Sequence, residues 1–181
     1  MNIAVYGGSF NPPHLGHAMV AATVLWTGRA DQVWLLPALS HAFAKALAPF
    51  EDRVRACQAL ADTVDPDRVR VCTVERDLPV PSYTIHTLDH LSAAHPAFRF
   101  SLVVGADTLP DTPKWKDWDR ICAEYAPVVI GRAGYPVPEG APVVPNISST
   151  EVRRRLASGE SVDDLVPERV RALLTAWGET R

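Results

Sequence analysis

Asn2-Ile3-Ala4-Val5-Tyr6 runs directly into Gly7-Gly8-Ser9-Phe10-Asn11-Pro12-Pro13-His14-Leu15-Gly16-His17. The first five residues form a short, mostly apolar run that ends on glycine, as a buried strand does, and a helical pattern begins near Leu15 and continues to about residue 27. Strand, tight turn and helix in that order open a β-α-β unit. The glycines let the backbone pass close to a ligand, and the helix start beyond them presents free N–H groups and the positive end of its dipole. His14 and His17 are three residues apart and share one face of the first helical turn. Two imidazoles aimed at one point can donate hydrogen bonds to phosphate oxygens, where charge builds up during phosphoryl-type transfer. The same spacing also suits a pair of capping or surface histidines beside a tight turn. No third His, Cys or carboxylate stands at a useful metal-ligand spacing nearby, so no protein-held metal is expected. The turn is neither a G-x-x-x-x-G-K-[ST] loop nor a G-x-G-x-x-G fingerprint.

Outward from this segment the β-α rhythm continues. Spacing and composition predict strands over 33–36, 69–74, 98–104 and 127–130, with helices over 50–63 and 82–93. In the first of these helices Val54, Cys57 and Leu60 or Ala61 share a face; in the second, Ile85, Leu88 and Leu91 do so. Residues 131–145 are rich in Gly and Pro and read as a surface loop. Helices over 149–157 and 167–177 close the chain, and His86, His90 and His95 read as surface residues. The expected fold is α/β, a doubly wound and mainly parallel sheet with a small helical C-terminal extension. One domain is expected over 1–181, with the sheet core in 1–145 and the helical part in 146–181. Right-handed crossovers then gather the loops after the strands along one sheet edge, where ligands bind.

The 181 residues are 47% hydrophobic and 22% charged with a net charge of -3, which suits a globular domain and lacks the basic footprint that a polynucleotide partner requires. Cys57, Cys72 and Cys122 are scattered without C-x-x-C spacing, which fits reduced thiols. No basic segment followed by an apolar run begins the chain, and no apolar stretch approaches the roughly 18 residues of a membrane span. These features point to a cytoplasmic protein without a membrane partner.

A second motif lies near the other end, Ile147-Ser148-Ser149-Thr150-Glu151-Val152-Arg153-Arg154-Arg155-Leu156. Ser148 and Glu151 have capping-box spacing, so a helix starts here. Three hydroxyls at the start of a helix, with Arg153 one turn in, can form a second anion pocket. A well-capped surface helix carrying a solvated basic run is the alternative.

The pair G-G-S-F-N-P-P-H-x-G-H and I-S-S-T-E-V-R resembles the nicotinate-nucleotide adenylyltransferase family, part of the nucleotidyltransferase superfamily with an H-x-G-H type signature. Ser82-Tyr83-Thr84 is similar to the family's S-Y-T, Gly105-Ala106-Asp107 followed by Trp115 to its G-x-D…W segment, and Gly159 through Val166-Pro167 to its closing G-x-S-x-x-x-L-V-P stretch. The resemblance implies a Rossmann-like fold and transfer of AMP from ATP, with Mg²⁺ carried on its phosphates, to nicotinate mononucleotide in NAD biosynthesis. It further implies that Gly7, Gly8, Ser9 and Phe10 line the cleft and that His14 and His17 hold the ATP phosphates. Ser148, Ser149, Thr150 and Arg153 would grip the triphosphate from the other side, and Gly105 and Asp107 would lie near the adenosine. Trp115 would stack on the pyridine ring, while backbone N–H groups near Thr84 and Lys116, in the segment with Ser82 and Tyr83, would receive the carboxylate. One loop departs from the family's P-P-H-K or P-P-H-R: Pro37-Ala38-Leu39-Ser40-His41-Ala42-Phe43-Ala44-Lys45. His41 and Lys45 are candidates for its basic groups, with Lys45 also assigned to catalysis, and Arg53 for the arginine that follows. The altered loop keeps other acceptors open, among them nicotinamide mononucleotide and phosphopantetheine, as well as a nucleotide-binding sensor without chemistry.

Overall fold

The central strands of the sheet alternate their side chains between two apolar layers, and that alternation builds the molecule. The computed structural model describes residues 1–39 and 47–178. Six parallel strands, β1 (Asn2–Gly8), β2 (Gln32–Pro37), β3 (Val69–Val71), β4 (Arg99–Gly105), β5 (Val128–Arg132) and β6 (Val143–Val144), lie in the order β3-β2-β1-β4-β5-β6. The α-helices are α1 (Leu15–Trp26), α2 (Phe50–Val64), α3 (Thr84–Ala94), α4 (Trp118–Tyr125), α5 (Ser149–Ser158) and α6 (Glu168–Gly178). Ala4, Val33, Leu35 and Val103 point into one apolar layer with Val24 of α1, Leu60 of α2, Val152 of α5 and Val170 of α6. Ile3, Val5, Leu36, Leu102 and Val104 point into the other with Leu88 of α3 and Ile121 of α4. The central strands are covered on both faces, which is why they read as continuous apolar runs. The C-terminal helices share the first layer with α1 and α2 rather than forming a core of their own.

Chain order leaves β1 toward β2 on one side and β4 toward β5 on the other. The two crossovers diverge, and a crevice opens at the carboxyl ends of β1 and β4, where a doubly wound sheet binds ligands. The glycine turn after β1 and Gly105-Ala106-Asp107 after β4 both end there.

Several features differ from the sequence reading, the first being α4 and the 3₁₀ turn over Leu109–Lys114, in a stretch where no helix was expected. β3 stops at Val71 and gives way to a 3₁₀ turn over Val74–Arg76, because an edge strand paired only with β2 has no second neighbour to extend it. The loop expected over 131–145 contributes strand at both ends: Gly131 and Arg132 complete β5 and pair with Val143 and Val144 of β6. Pro142 and Pro145 flank that two-residue strand, which is too short to show any periodicity. His95 is not a free surface residue; its half-buried ring stacks on Phe98 and meets Trp34 edge-on.

Candidate active site

A cavity of about 820 Å³ occupies the crevice, bounded by the turn after β1, the end of β4 and the starts of α1, α3 and α5. Gly7, Gly8, Ser9, His14 and His17 form one wall and Ser148 and Ser149 another. Gly105, Asp107, Ser82, Tyr83, Thr84 and Trp115 complete it. The glycines serve by lacking bulk: Gly7 and Gly8 belong to β1, and a side chain on Gly7 would project into open space. The left-handed residue of the turn is Phe10, with φ of 44°. Its ring is buried below the cavity, edge-on to Tyr6 and 4.8 Å from the His17 ring between centroids. Phe10 therefore supports a histidine instead of lining the cleft.

His14 is the N-cap residue of α1 and His17 its third residue, and their rings stand 3.7 Å apart. The His14 backbone N–H donates to His17 Nδ1 at 3.1 Å, so a neutral His17 carries its proton on Nε2. His14 is 4% exposed, and among the described residues its buried Nδ1 has no hydrogen-bond partner. Burial holds the His14 imidazole down at about 3, helped by the positive charge of Arg132. Burial first, then His14 and Arg132, keep His17 well below the usual histidine value. Both rings are thus neutral near pH 7. The linkage sign follows: the unfolded chain takes up protons below about pH 6.5, while the folded chain resists until far lower. Stability is complete above pH 6.5 and falls as pH drops from 6.5 toward 3. Between pH 7.5 and 5, His14 should cost on the order of 1–2 kcal/mol of unfolding free energy. Urea titrations of the wild type and His14→Asn should show a smaller loss in the variant over that window.

Arg132 was not singled out by the sequence, because it lies in a Gly- and Pro-rich stretch. It lines the cavity, pairs with Asp107 at 2.7 Å and donates to the Ile147 carbonyl. One guanidinium thus links the β4 turn to the segment preceding α5. The Asp107 carboxylate occupies the space that a side chain on Gly105 would take.

The terminal motifs meet directly. Ser149 Oγ donates to the Pro12 carbonyl at 2.9 Å, and Arg153 donates to the Asn11 carbonyl and to Thr150 Oγ1 at 3.3 Å. The Leu15 N–H of α1 donates to the Leu165 carbonyl at 2.8 Å, so the stretch before α6 closes the start of α1. Ser148 caps α5 by accepting from the Glu151 N–H at 3.2 Å. The reciprocal half of the expected capping box is not used, because the Glu151 carboxylate pairs with Arg154 and Arg155. Those two arginines are engaged in surface ion pairs, while Arg153 and Thr150 lie next to the lining residues Ser148 and Ser149 without lining the cavity themselves.

On the opposite side, the Lys116 Nζ sits 4.9 Å above the Tyr83 ring, and Trp115 packs edge-on against Trp118 while still reaching the cavity. Lys45 and His41 lie outside the described residues. Arg53 is placed differently from the expected direct contact with a ligand. It is 1% exposed, and its guanidinium donates to the carbonyls of Ala48, Ser9 and Ala38 at 2.9, 3.0 and 2.8 Å. It thereby pins the ends of the β1 and β2 turns from beneath. Arg53→Ala would strand these carbonyls and should cost roughly 2–4 kcal/mol, readable in chemical denaturation.

Among the described residues, no group of three His, Cys, Asp or Glu side chains is placed to hold a metal, and no helix is long and apolar enough to cross a membrane. A cytidylyltransferase-like family model matches residues 5–155. The probable nicotinate-nucleotide adenylyltransferase of Anaeromyxobacter dehalogenans (strain 2CP-C) is 52% identical over 171 residues, 93% of this chain and 90% of that protein. A probable nicotinate-nucleotide adenylyltransferase of Thermus thermophilus is 38% identical, over 98% of each chain. A Plasmodium falciparum nicotinic acid mononucleotide adenylyltransferase, solved in complex with NaAD, shares the fold with a TM-score of 0.81 at 18% identity, covering 97% of this chain and 95% of that one. With the H-x-G-H turn and the I-S-S-T-x-x-R helix start on one crevice, and with relatives this similar along nearly the whole length, the chain belongs to the nicotinate-nucleotide adenylyltransferase family of nucleotidyltransferases.

Proposed function

We propose that this protein transfers AMP from MgATP to nicotinate mononucleotide, giving the dinucleotide and pyrophosphate. A phosphate oxygen of the acceptor attacks the α-phosphorus of ATP. The bond from that phosphorus to the α,β-bridging oxygen breaks, and pyrophosphate leaves with the electron pair. The observation that carries the reading is the pair of neutral, closely spaced imidazoles at the start of α1, one with a buried nitrogen that has no partner among the described residues. A buried polar atom without a partner is rare in a settled interior, and here it lies in the wall of a cavity sized for nucleotides.

In this mechanism His17 donates through Nε2–H to the phosphates, and His14 stands beside it as the second imidazole. Ser148 and Ser149 hold the triphosphate from the side of α5, with Thr150 and Arg153 adding a hydroxyl and a positive charge next to them. Gly105 and Asp107 receive the adenosine, and Lys45 adds charge. The enzyme's task is positioning and neutralisation of charge, since the attacking phosphate is already anionic. The metal is part of the substrate: Mg²⁺ keeps several waters and prefers phosphate oxygens to a protein cage. Trp115 forms the aromatic platform, and the start of α3 is left for the carboxylate. Its N-cap residue Tyr83 contributes no side-chain cap and its first turn has no acid. The reaction is proposed to run in the cytoplasm, where ATP is plentiful and the scattered cysteines would stay reduced.

Steady-state assays with MgATP and each acceptor, following pyrophosphate and dinucleotide together, test the proposal. A charge-assisted contact to the carboxylate should favour nicotinate over nicotinamide mononucleotide by roughly 10–100-fold in kcat/KM. Equal rates with both, or turnover of phosphopantetheine alone, would overturn the acceptor assignment.

A further inference from the structure

Glu75 has no part in the chemistry described above, yet it lines the cavity and is 7% exposed. It sits in the 3₁₀ turn after β3. Its two oxygens are used separately: Oε2 accepts from the Ser82 hydroxyl, and Oε1 accepts from Thr87 Oγ1 at 2.8 Å. Among the described residues no Lys, Arg or His forms an ion pair with it. Burying a carboxylate without a counter-ion is costly, and two hydroxyl donors offset only part of that cost. A structural brace could be made more cheaply from a neutral side chain.

The two donors bracket the acceptor wall. Ser82 lies just before α3, Thr87 lies in its first turn and is 1% exposed, and Tyr83 and Thr84 between them line the cavity. Tyr83 supplies no side-chain cap, so the start of α3 is tied down from below by Glu75 while its first N–H groups stay clear of any side-chain cap. A negative charge near a helix N-terminus is also favourable to the helix.

We propose that Glu75 is a positioning residue for the acceptor: by clamping Ser82 and Thr87 with one carboxylate it fixes the height and direction of the α3 start, where the carboxylate of the pyridine nucleotide is received. The inference rests on the proposed function, and its test separates the two. Glu75→Ala, Glu75→Gln and Thr87→Val are compared with wild type in steady-state kinetics with each substrate varied, and amide hydrogen exchange is measured over residues 82–88. Glu75→Ala should raise KM for nicotinate mononucleotide about tenfold and leave KM for ATP within about twofold, with faster exchange over 82–88. Glu75→Gln, keeping one acceptor oxygen, should recover part of the loss. Thr87→Val should show a smaller loss that adds little when combined with Glu75→Ala, since both remove the same bond. An unchanged acceptor KM, equal rises in both KM values, or unchanged exchange in the folded variants would each overturn the role. Should Glu75→Ala not fold, the Gln and Val variants decide by the same criteria. If wild type turns over a different phosphorylated acceptor, the proposed function fails, and the same split measured on that compound still decides for or against Glu75.

Discussion

His17→Ala is expected to lower kcat by about 10²–10³-fold, the loss typical of one preorganised hydrogen-bond donor in a low-dielectric site. The side chain is held in place on several sides. Its Nδ1 is occupied by the His14 N–H, and its ring rests 4.8 Å from Phe10 and 5.9 Å from Tyr6 between centroids. Only Nε2–H is left to act, so truncation removes a donor already aimed. Because the interaction strengthens as charge moves onto the phosphates, kcat and kcat/KM should fall together while KM for ATP changes little. Circular dichroism of the variant should stay close to wild type, with unfolding free energy lower by about 1–2 kcal/mol through the lost bond to the His14 N–H and the lost ring packing. Near-full turnover would remove His17 from the mechanism, and a rise in KM alone would make it a binding group only.

Gly16→Ala should be the second most damaging change, although Gly16 touches no reacting atom. A Cβ there would stand 3.0 Å from both Cε1 and Nδ1 of His14, and 3.3 Å from the Ile147 Cβ. His14 is buried and cannot swing away freely, so the methyl group must displace the ring whose Nδ1 is otherwise unpartnered. Misplacing a catalytic group by a fraction of an ångström to an ångström costs about 10–10²-fold in rate. Overpacking should also lower stability by about 1–3 kcal/mol. Gly7→Val is the contrast. Its side chain would enter open space in the cleft, so stability should be nearly unchanged while nucleotide binding weakens. Kinetics and denaturation of the pair separate a crowded histidine from a blocked pocket. Wild-type kinetics in Gly16→Ala would show that His14 can relax without consequence.

Five of the six strands were legible because they are short apolar runs near Gly or Pro, and the first helices carry apolar residues three and four apart; β6, two residues long, was not. Ala4 and its neighbours Ile3 and Val5 face opposite layers, a pattern that a parallel core writes directly into the sequence. The two anion motifs stood out locally, since a helix start beside a glycine turn has an evident chemistry. Their meeting did not: the Ser149–Pro12 and Leu15–Leu165 bonds join residues more than a hundred positions apart, and no periodicity reports such a contact. Arg132 was hidden for a related reason. It ends β5 beside a strand of two residues, and its ion pair with Asp107 exists only once β4 and β5 are side by side. Arg53 illustrates the reverse. An arginine one turn into a helix near an anion site invites a ligand role, but in the folded chain its donors are directed at backbone carbonyls. Glu75 carried no signal of its own, because its importance lies in two hydroxyls seven and twelve residues further on.

The central claim is a direct transfer of AMP between two bound substrates, without a covalent intermediate on the protein. Rapid-quench mixing of the enzyme with MgATP labelled at the α-phosphorus and nicotinate mononucleotide tests it in one turnover. Direct transfer predicts that label passes from ATP into the dinucleotide with no labelled protein at any time, and that unlabelled pyrophosphate appears at the same rate. Label retained on the acid-quenched protein, or pyrophosphate released ahead of the dinucleotide, would contradict it.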